Sequence, residues 1–277
     1  MTDTNYTLEE LIIARMSKEY RDSGLGVGAT ILGDLSARLA KTLYAPNLFL
    51  TTASRAAADP DVHAKSLSEE WTLDATAKMA LDWEQMFRMI AQQKLQIWIG
   101  AVQIDRRGAS NISVIGDWRK PRAQFIGARG IPDDLWGCER LNFHIRTQSP
   151  RTFVEKVDFV CGFGQTPDLG EQIMRPAAPG MVVSDLGVFD YGGPDGTMRV
   201  VSLHPGVSFE TVQERTGFEL PDPGKDVPVT AVPTPEELHV IREVIDPNGL
   251  RRLDSATASP KLMLELWEQE LKAAEAA

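Results

Sequence analysis

The sequence contains few of the residues that bind metals or form disulfides. Its 277 residues include two cysteines and four histidines. Cys138 and Cys161 have neither CxxC spacing nor a histidine partner nearby, so we expect two reduced, packed thiols. The histidines are scattered along the chain, which predicts a site without a metal ion.

Long apolar runs and an excess of positive charge are also missing. No window approaches the about 18 uncharged apolar residues of a membrane span, so we expect none. The N-terminal segment is acidic and lacks the basic start and apolar core of a signal peptide, which favours a cytoplasmic protein. The formal net charge of −10 disfavours a nucleic-acid-binding protein, which would need a basic face.

The composition that remains fits a globular enzyme. Hydrophobic residues make up 43% and charged residues 25% of the chain, which does not suggest disorder. Strand and helix patterns predict an α/β domain over residues 1–220. Residues 221–277 begin with a proline-rich arm and continue into helices. We expect this part to pack on the domain or to embrace a partner chain, although a solvated terminal helix fits equally well.

The stretch from Leu95 to Asp134 organises the chain. Its apolar opening, Leu95 to Ile104, predicts a buried strand, and Asn111 to Ile115 predicts a second, short strand. A cationic connection follows, with Arg119, Lys120 and Arg122.

A small-residue loop, Gly127-Ala128-Arg129-Gly130, closes this stretch. Glycine permits backbone angles that a side chain forbids. Such a loop can turn its N–H groups toward an anionic or carbonyl oxygen, which predicts one wall of an active site. From the glycines alone, however, an ordinary turn is the simpler interpretation.

Other segments carry weaker functional signals. Residues 24–28 (GLGVG) open a helix, but the preceding segment is charged rather than an apolar strand, so we interpret the glycines as steric and not as a dinucleotide site. Trp71 to Gln93 predicts a long amphipathic helix that forms core or lines an acyl pocket. Phe153 to Val160 predicts a strand, and Ser208 is expected to cap the helix that starts at Phe209.

Several of these segments together resemble one protein family. The run GAVQIDRRGASNIS, then GDWRKPR and the glycine loop, resembles the β subunit of family I CoA-transferases of the glutaconate CoA-transferase type. VVSDLGVFDY and MRVVSLHPGVSFETVQERTGFEL are similar to the C-terminal part of these chains, and FVCGFG resembles a stretch in steroid-degrading members. The resemblance implies an α/β fold: a three-layer CoA-transferase-type open sheet flanked by helices, as a single module. It also implies an α partner subunit in an α2β2 heterotetramer, with the active site where the modules meet.

One residue of the family is missing from this sequence. In acyl-transferring members, a glutamate in the loop after the strand at Leu48–Thr52 attacks the thioester. Here no glutamate occurs from Asn47 to Lys65, and the nearest carboxylate, Asp59, is typical of a turn cap. Unless the alignment slips by a few residues, the resemblance implies a hydrolytic branch. Such members open the ring of a steroid-derived cyclic β-diketone-type CoA thioester with water.

The resemblance also suggests roles for individual residues. Gly127, Ala128 and Arg129 would supply oxyanion donors and a pocket wall, while the base belongs to the α partner. The candidates for binding CoA or the substrate carboxylate are Arg119, Lys120, Arg122, Ser54 and Arg55. Each basic residue could instead be a solvent-facing charge. We expect no cofactor beyond the CoA of the substrate.

Two other functions remain open at this stage. The chain could be a true CoA-transferase subunit that uses an unrecognised carboxylate such as Asp59. It could also be a non-catalytic structural subunit.

Overall fold

The computed structural model describes residues 5–51, 57–63, 76–165, 180–256 and 258–275. The chain divides into two compact units, one formed by residues 1–87 with 231–277 and the other by residues 88–230. Strands and helices alternate in both, which confirms the predicted α/β class. The predicted boundary at residue 220 stays a prediction.

Two helices open the first unit, and each begins at a threonine. Helix α1 (Leu8–Ser17) has the predicted capping box: Thr7 Oγ1 accepts from the backbone N–H of Glu10, whose carboxylate accepts from the N–H of Thr7. Helix α2 (Ile31–Leu43) begins at Thr30 in the same way, without the returning bond. The leucines of α2 are buried, and the helix packs against α1.

The strands of this unit are short. They are β1 (Leu25–Gly28), β2 (Phe49–Thr51), β3 (Ala57–Ala58) and β4 (Met79–Ala80). β1 and β2 are parallel, and the remaining pairs are antiparallel. A Cβ on Gly28 would lie 1.9 Å from the backbone N of Asp34 in the first turn of α2, so this glycine is required by close packing. The steric interpretation of residues 24–28 therefore fits the structure.

The C-terminal segment packs on these N-terminal helices. It contains α6 (Pro235–His239), which continues as a π-helical turn (Val240–Ile245), then a 3-10 turn (Leu250–Asp254) and α7 (Pro260–Glu275). Asp254 accepts a hydrogen bond from the N–H of Leu32 at 3.2 Å. Tyr44 donates to Glu237 at 2.6 Å. The second half of residues 221–277 thus contacts its own chain.

The second unit is built on five strands. They are β5 (Leu95–Gly100), β10 (Arg140–Ile145), β12 (Val182–Ser184), β13 (Gly187–Asp190) and β14 (Arg199–Leu203). β10 lies between β5 and β12 and is parallel to both, and β13 and β14 add antiparallel strands at the β12 side. Trp98, Phe143 and Phe189 are fully buried on these strands and form the core.

Smaller sheets and helices complete this unit. The strands are β6 (Gln103–Asp105), β7 (Ser110–Asn111) and β11 (Phe153–Val154) in one sheet, and the hairpin of β8 (Val114–Asp117) with β9 (Lys120–Gln124). The helices are α3 (Trp83–Ala91), which crosses the division between the units, α4 (Ile131–Gly137) and α5 (Phe209–Glu214). Ser208 caps α5 as predicted, since its Oγ accepts from the N–H of Thr211 at 3.2 Å.

Three predicted elements differ from the structure. The strand Leu95 to Ile104 is broken after Gly100, because β5 and β6 pair in different sheets. The helix Trp71 to Gln93 was predicted too long: within the described part it is limited to α3, and Met79 pairs in β4 instead. The strand Phe153 to Val160 ends at Val154. None of the described helices is long and apolar enough to cross a membrane.

Candidate functional site

The Gly127–Gly130 loop, called the donor loop below, has a backbone suited to binding an oxygen atom. The φ angles of Gly127 and Arg129 are positive, at 88° and 51°, whereas that of Gly130 is −82°. Alternating signs of φ turn successive N–H groups to one side of the chain. Within the described residues, the N–H groups of Ala128, Arg129 and Gly130 have no hydrogen-bond partner. The loop therefore presents three consecutive free donors.

The space beside the first glycine is open. A Cβ on Gly127 would have no described atom within 4 Å. The glycine is therefore required by its backbone angle and not by crowding. An open side next to free donors is the arrangement that an oxyanion site needs.

Helix α4 follows the loop directly and is held by two glycine contacts. A Cβ on Gly162 would lie 2.3 Å from Leu135 Cδ1 and 2.6 Å from Ile131 Cγ2. A Cβ on Gly137 would lie 2.8 Å from the carbonyl oxygen of Ile90. The helix therefore rests closely on its surroundings, and this fixes the end of the donor loop.

Asp134 is a functional candidate that our sequence interpretation missed. It lies in the first turn of α4, is 8% exposed, and its carboxylate contacts the end of the donor loop. Burial, with a smaller contribution from the charge of Asp133, raises the pKa of Asp134 to about 7. The sequence contained a signal: Asp134 falls at helical spacing among Ile131, Leu135 and Cys138, so it lies on an apolar stripe.

The predicted basic residues lie on the β8–β9 hairpin. Arg119 and Lys120 form its turn, and within the structure described here their side chains have no ion pair. Arg122 lies 3.8 Å from a carboxylate oxygen of Asp158 and is less available. Arg129, on the donor loop itself, is exposed and also lacks an ion pair among the described residues.

An aromatic pair lies beside these cations. The rings of Trp118 and Phe159 stack with centroids 4.9 Å apart, and Trp118 is still 60% exposed. An exposed ring next to two unpaired cations is a suitable surface for a nucleotide, which combines a flat base with phosphates.

Asp59 is a poor nucleophile in this structure. It is 3% exposed and forms ion pairs with Lys41, at 2.7 Å, and with Lys78. Burial acts in the opposite direction, but the two lysines lower the pKa of Asp59. A carboxylate that is buried and neutralised by two ammonium groups has little freedom to attack a thioester.

The other predicted residues have simple outcomes. Ser54 and Arg55 lie outside the described residues. Cys138 and Cys161 are free and buried, which confirms the prediction of reduced, packed thiols. Cys161 accepts from the N–H of Ile112 at 3.2 Å. No group of His, Cys, Asp or Glu side chains in the described ranges is arranged to hold a metal ion.

Comparison with known sequences identifies relatives over most of the chain. The cholesterol ring-cleaving hydrolase IpdB subunit of Mycobacterium tuberculosis is 35% identical over 253 residues, which cover 88% of this chain and 97% of that protein. A subunit of the 3-oxoadipate CoA-transferase of Pseudomonas knackmussii is 30% identical over 243 residues, covering 86% of this chain and 92% of the relative. No family model matches the sequence.

Comparison with solved structures agrees. Rhodococcus jostii IpdAB gives a TM-score of 0.77 at 30% identity and covers 92% of this chain and 100% of the matched chain. Glutaconate CoA-transferase from Acidaminococcus fermentans gives 0.79 at 25% identity, with 88% and 96% covered. The predicted CoA-transferase-type fold is thereby confirmed. This chain belongs to the family formed by the β subunits of these CoA-transferases and the IpdB subunits of ring-cleaving hydrolases.

Proposed function

We propose that this chain is the β subunit of a heteromeric hydrolase. The complex opens a ring of a steroid-derived, cyclic β-diketone-type CoA thioester by adding water. The single observation that carries the proposal is the donor loop, with three consecutive unpartnered N–H groups from Ala128 to Gly130 next to open space. The 35% identity to a cholesterol ring-cleaving hydrolase subunit favours a ring-opening reaction over other acyl chemistry.

The reaction needs donors of this kind at two moments. Water adds to a ring carbonyl, its proton passes to a base, and the carbonyl oxygen becomes an oxyanion. The oxyanion then collapses, the C–C bond breaks, and its electron pair forms an enolate that takes up a proton. Amide donors fixed in advance stabilise such oxygens without reorganisation, and each is worth about 10²–10³ in kcat.

The base is expected on an α-type partner. In the described part of this chain, Asp59 is neutralised by two lysines, and the donor loop offers only hydrogen-bond donors. The relative IpdB is named as one subunit of IpdAB, which supports a second subunit here as well. The α2β2 stoichiometry and a cytoplasmic location stay predictions.

The CoA part of the substrate is assigned to the β8–β9 hairpin. Arg119 and Lys120 would bind phosphates, and Trp118 would stack on the adenine. Arg122 contributes less, because Asp158 lies close to it. Ser54 and Arg55 keep their predicted role as further contacts. The reaction needs no cofactor apart from the CoA carried by the substrate.

The direct test follows the oxygen atom of water. The assembled complex is given a ring-containing CoA thioester in ¹⁸O-labelled water, and the product is analysed by mass spectrometry. The proposal expects ring opening with one labelled oxygen in the new carboxylate. Transfer of CoA to acetate without uptake of label would refute it.

A true CoA-transferase is the second candidate, and the 30% identity to a 3-oxoadipate CoA-transferase subunit favours it. This enzyme would pass through an enzyme-bound CoA thioester. Borohydride or hydroxylamine would trap that intermediate on this subunit, whereas the hydrolase leaves nothing to trap. A non-catalytic subunit would tolerate changes at Gly127 without any loss of turnover.

A further inference from the structure

The carboxyl group of Asp134 lies directly behind the donor loop. Its two oxygens are 3.2 Å and 3.5 Å from the position that a Cβ of Gly130 would occupy. Gly130 contributes one of the three free N–H groups of the loop and is the residue from which α4 begins. Any charge on Asp134 is therefore felt at the loop, because little solvent separates the two.

The Asp134 carboxyl is buried without a partner. Only 8% of the residue is exposed, and no described donor or cation bonds to either oxygen. A buried ionised carboxylate without a donor is strongly unfavourable, so such groups keep their proton. Most buried polar groups of folded proteins have partners, so this exception calls for a functional explanation.

The groups around Asp134 leave few other causes for its state. Its own helix contributes the exposed Asp133, whose charge raises the pKa of Asp134, and the neutral thiol of Cys138. Where other elements meet α4, the contacts are Ile90 from α3, Ser110 from β7 and Gly162, and none carries a charge. Arg129 lies on the loop itself but forms no ion pair with Asp134.

We propose that Asp134 is a positioning residue for the donor loop, and that its neutral form is the active one. The neutral acid leaves the positive ends of the loop amides available to the oxyanion of the substrate. The carboxylate would instead place a negative charge behind the same amides and oppose that oxyanion. The proposal rests on the proposed function only in that an oxyanion forms at the loop, as it does in ring opening and in CoA transfer alike.

The first experiment is the pH profile of kcat/KM of the assembled complex, measured on its CoA thioester with ring opening or CoA transfer as the readout. In the wild type, activity falls about tenfold per pH unit above an inflection near pH 7. Asp134→Asn keeps the group neutral at every pH, so this alkaline limb disappears. Asp133→Asn removes the neighbouring charge but not the titrating group, so the limb remains and its inflection moves to lower pH.

The second experiment observes the carboxyl group without any substrate. Aspartate ¹³C-labelled at Cγ is incorporated into this chain, the complex is assembled, and the resonance that disappears in Asp134→Asn is titrated by NMR. The proposal expects it to titrate near pH 7 in the wild type and lower in Asp133→Asn. Titration near the ordinary aspartate value, or an alkaline limb that survives in Asp134→Asn, would overturn it. Because the wild type and Asp133→Asn suffice for the profile comparison, a poorly folding Asp134→Asn would not prevent the test.

Discussion

The guanidinium of Arg242 binds both carboxylate oxygens of Glu10, with Nε 2.8 Å from Oε1 and Nη2 2.8 Å from Oε2. Glu10 is 1% exposed and is also 3.1 Å from Arg251. Its carboxylate accepts from the N–H of Thr7 in the capping box of α1. One buried carboxylate thus ties the first helix of the chain to the C-terminal segment.

We expect Arg242→Ala to lower the free energy of unfolding by about 2 kcal/mol, measured by urea denaturation. The loss should be below the about 3–5 kcal/mol of a fully broken buried pair, because Arg251 still neutralises Glu10. Arg106→Ala is the matched control, since its pair with Glu155 is 42% and 60% exposed. The control should lose less than about 1 kcal/mol. Equal losses in the two variants would contradict a special role for the Glu10 pair.

A second prediction separates backbone strain from function. Gly127 and Gly206 have nearly equal φ angles, 88° and 82°, and both have open space where a Cβ would stand. Alanine at either position should therefore destabilise the chain by a similar amount, about 1–2 kcal/mol. Only Gly127→Ala should also reduce kcat/KM, by about tenfold or more, because it turns the amides of the donor loop. Equal effects on activity would show that the loop is an ordinary turn.

A third prediction concerns Asp59. Because its pKa is lowered in the folded state, its ion pairs stabilise the protein above the unfolded value of 3.8, and this contribution is lost as pH falls. Asp59→Asn should therefore be less stable than the wild type at pH 7, by about 1–3 kcal/mol, and the difference should shrink toward pH 3. Ring opening should persist in the folded variant. Abolished turnover together with loss of a trappable adduct would favour the transferase instead.

The raised pKa of Asp134 has the opposite sign. The unfolded carboxyl ionises near 3.8, whereas the folded one keeps its proton until about pH 7, so the wild type loses stability as pH rises between these values. At about 1.4 kcal/mol per pKa unit, the stability of Asp134→Asn relative to wild type should improve on the order of 4 kcal/mol from pH 3 to pH 8. Urea denaturation at a series of pH values measures this. A difference that does not vary with pH would contradict the buried, protonated carboxyl.

The fifth prediction tests the hairpin. Replacing Arg119 and Lys120 together by alanine should raise KM for the CoA thioester about tenfold and leave kcat nearly unchanged, since these cations contact only the phosphates. The effect should weaken at high ionic strength. Arg151→Ala, an exposed cation outside the hairpin, serves as the control and should behave as wild type. A fall in kcat at unchanged KM would place the hairpin elsewhere in the mechanism.

Local signals in the sequence predicted local structure well. The capping box of Thr7 and the Ser208 cap of α5 were correct, because each depends on residues within one turn. The break between β5 and β6 was missed, since an apolar run does not show that the chain leaves one sheet for another. The helix through Met79 was predicted too long because pairing with β3, a contact distant in sequence, decides that residue.

The same distinction applies to the site. The donor loop was found from its glycines, because positive φ angles leave a mark on the sequence. Asp134 was missed because an acidic residue in the first turn of a helix is usually a solvated partner of the helix dipole. Its burial depends on how α4 packs, and Gly137 and Gly162 determine that packing from outside the loop.

Those two glycines have a consequence for comparing members of this family. A side chain at either position would displace α4, and the amides of an unchanged loop sequence would then meet the thioester at a different angle. Substrate preference can therefore drift through positions that never touch the acyl group. Two homologues with identical loops need not accept the same substrate, and the surroundings of the helix are the better guide.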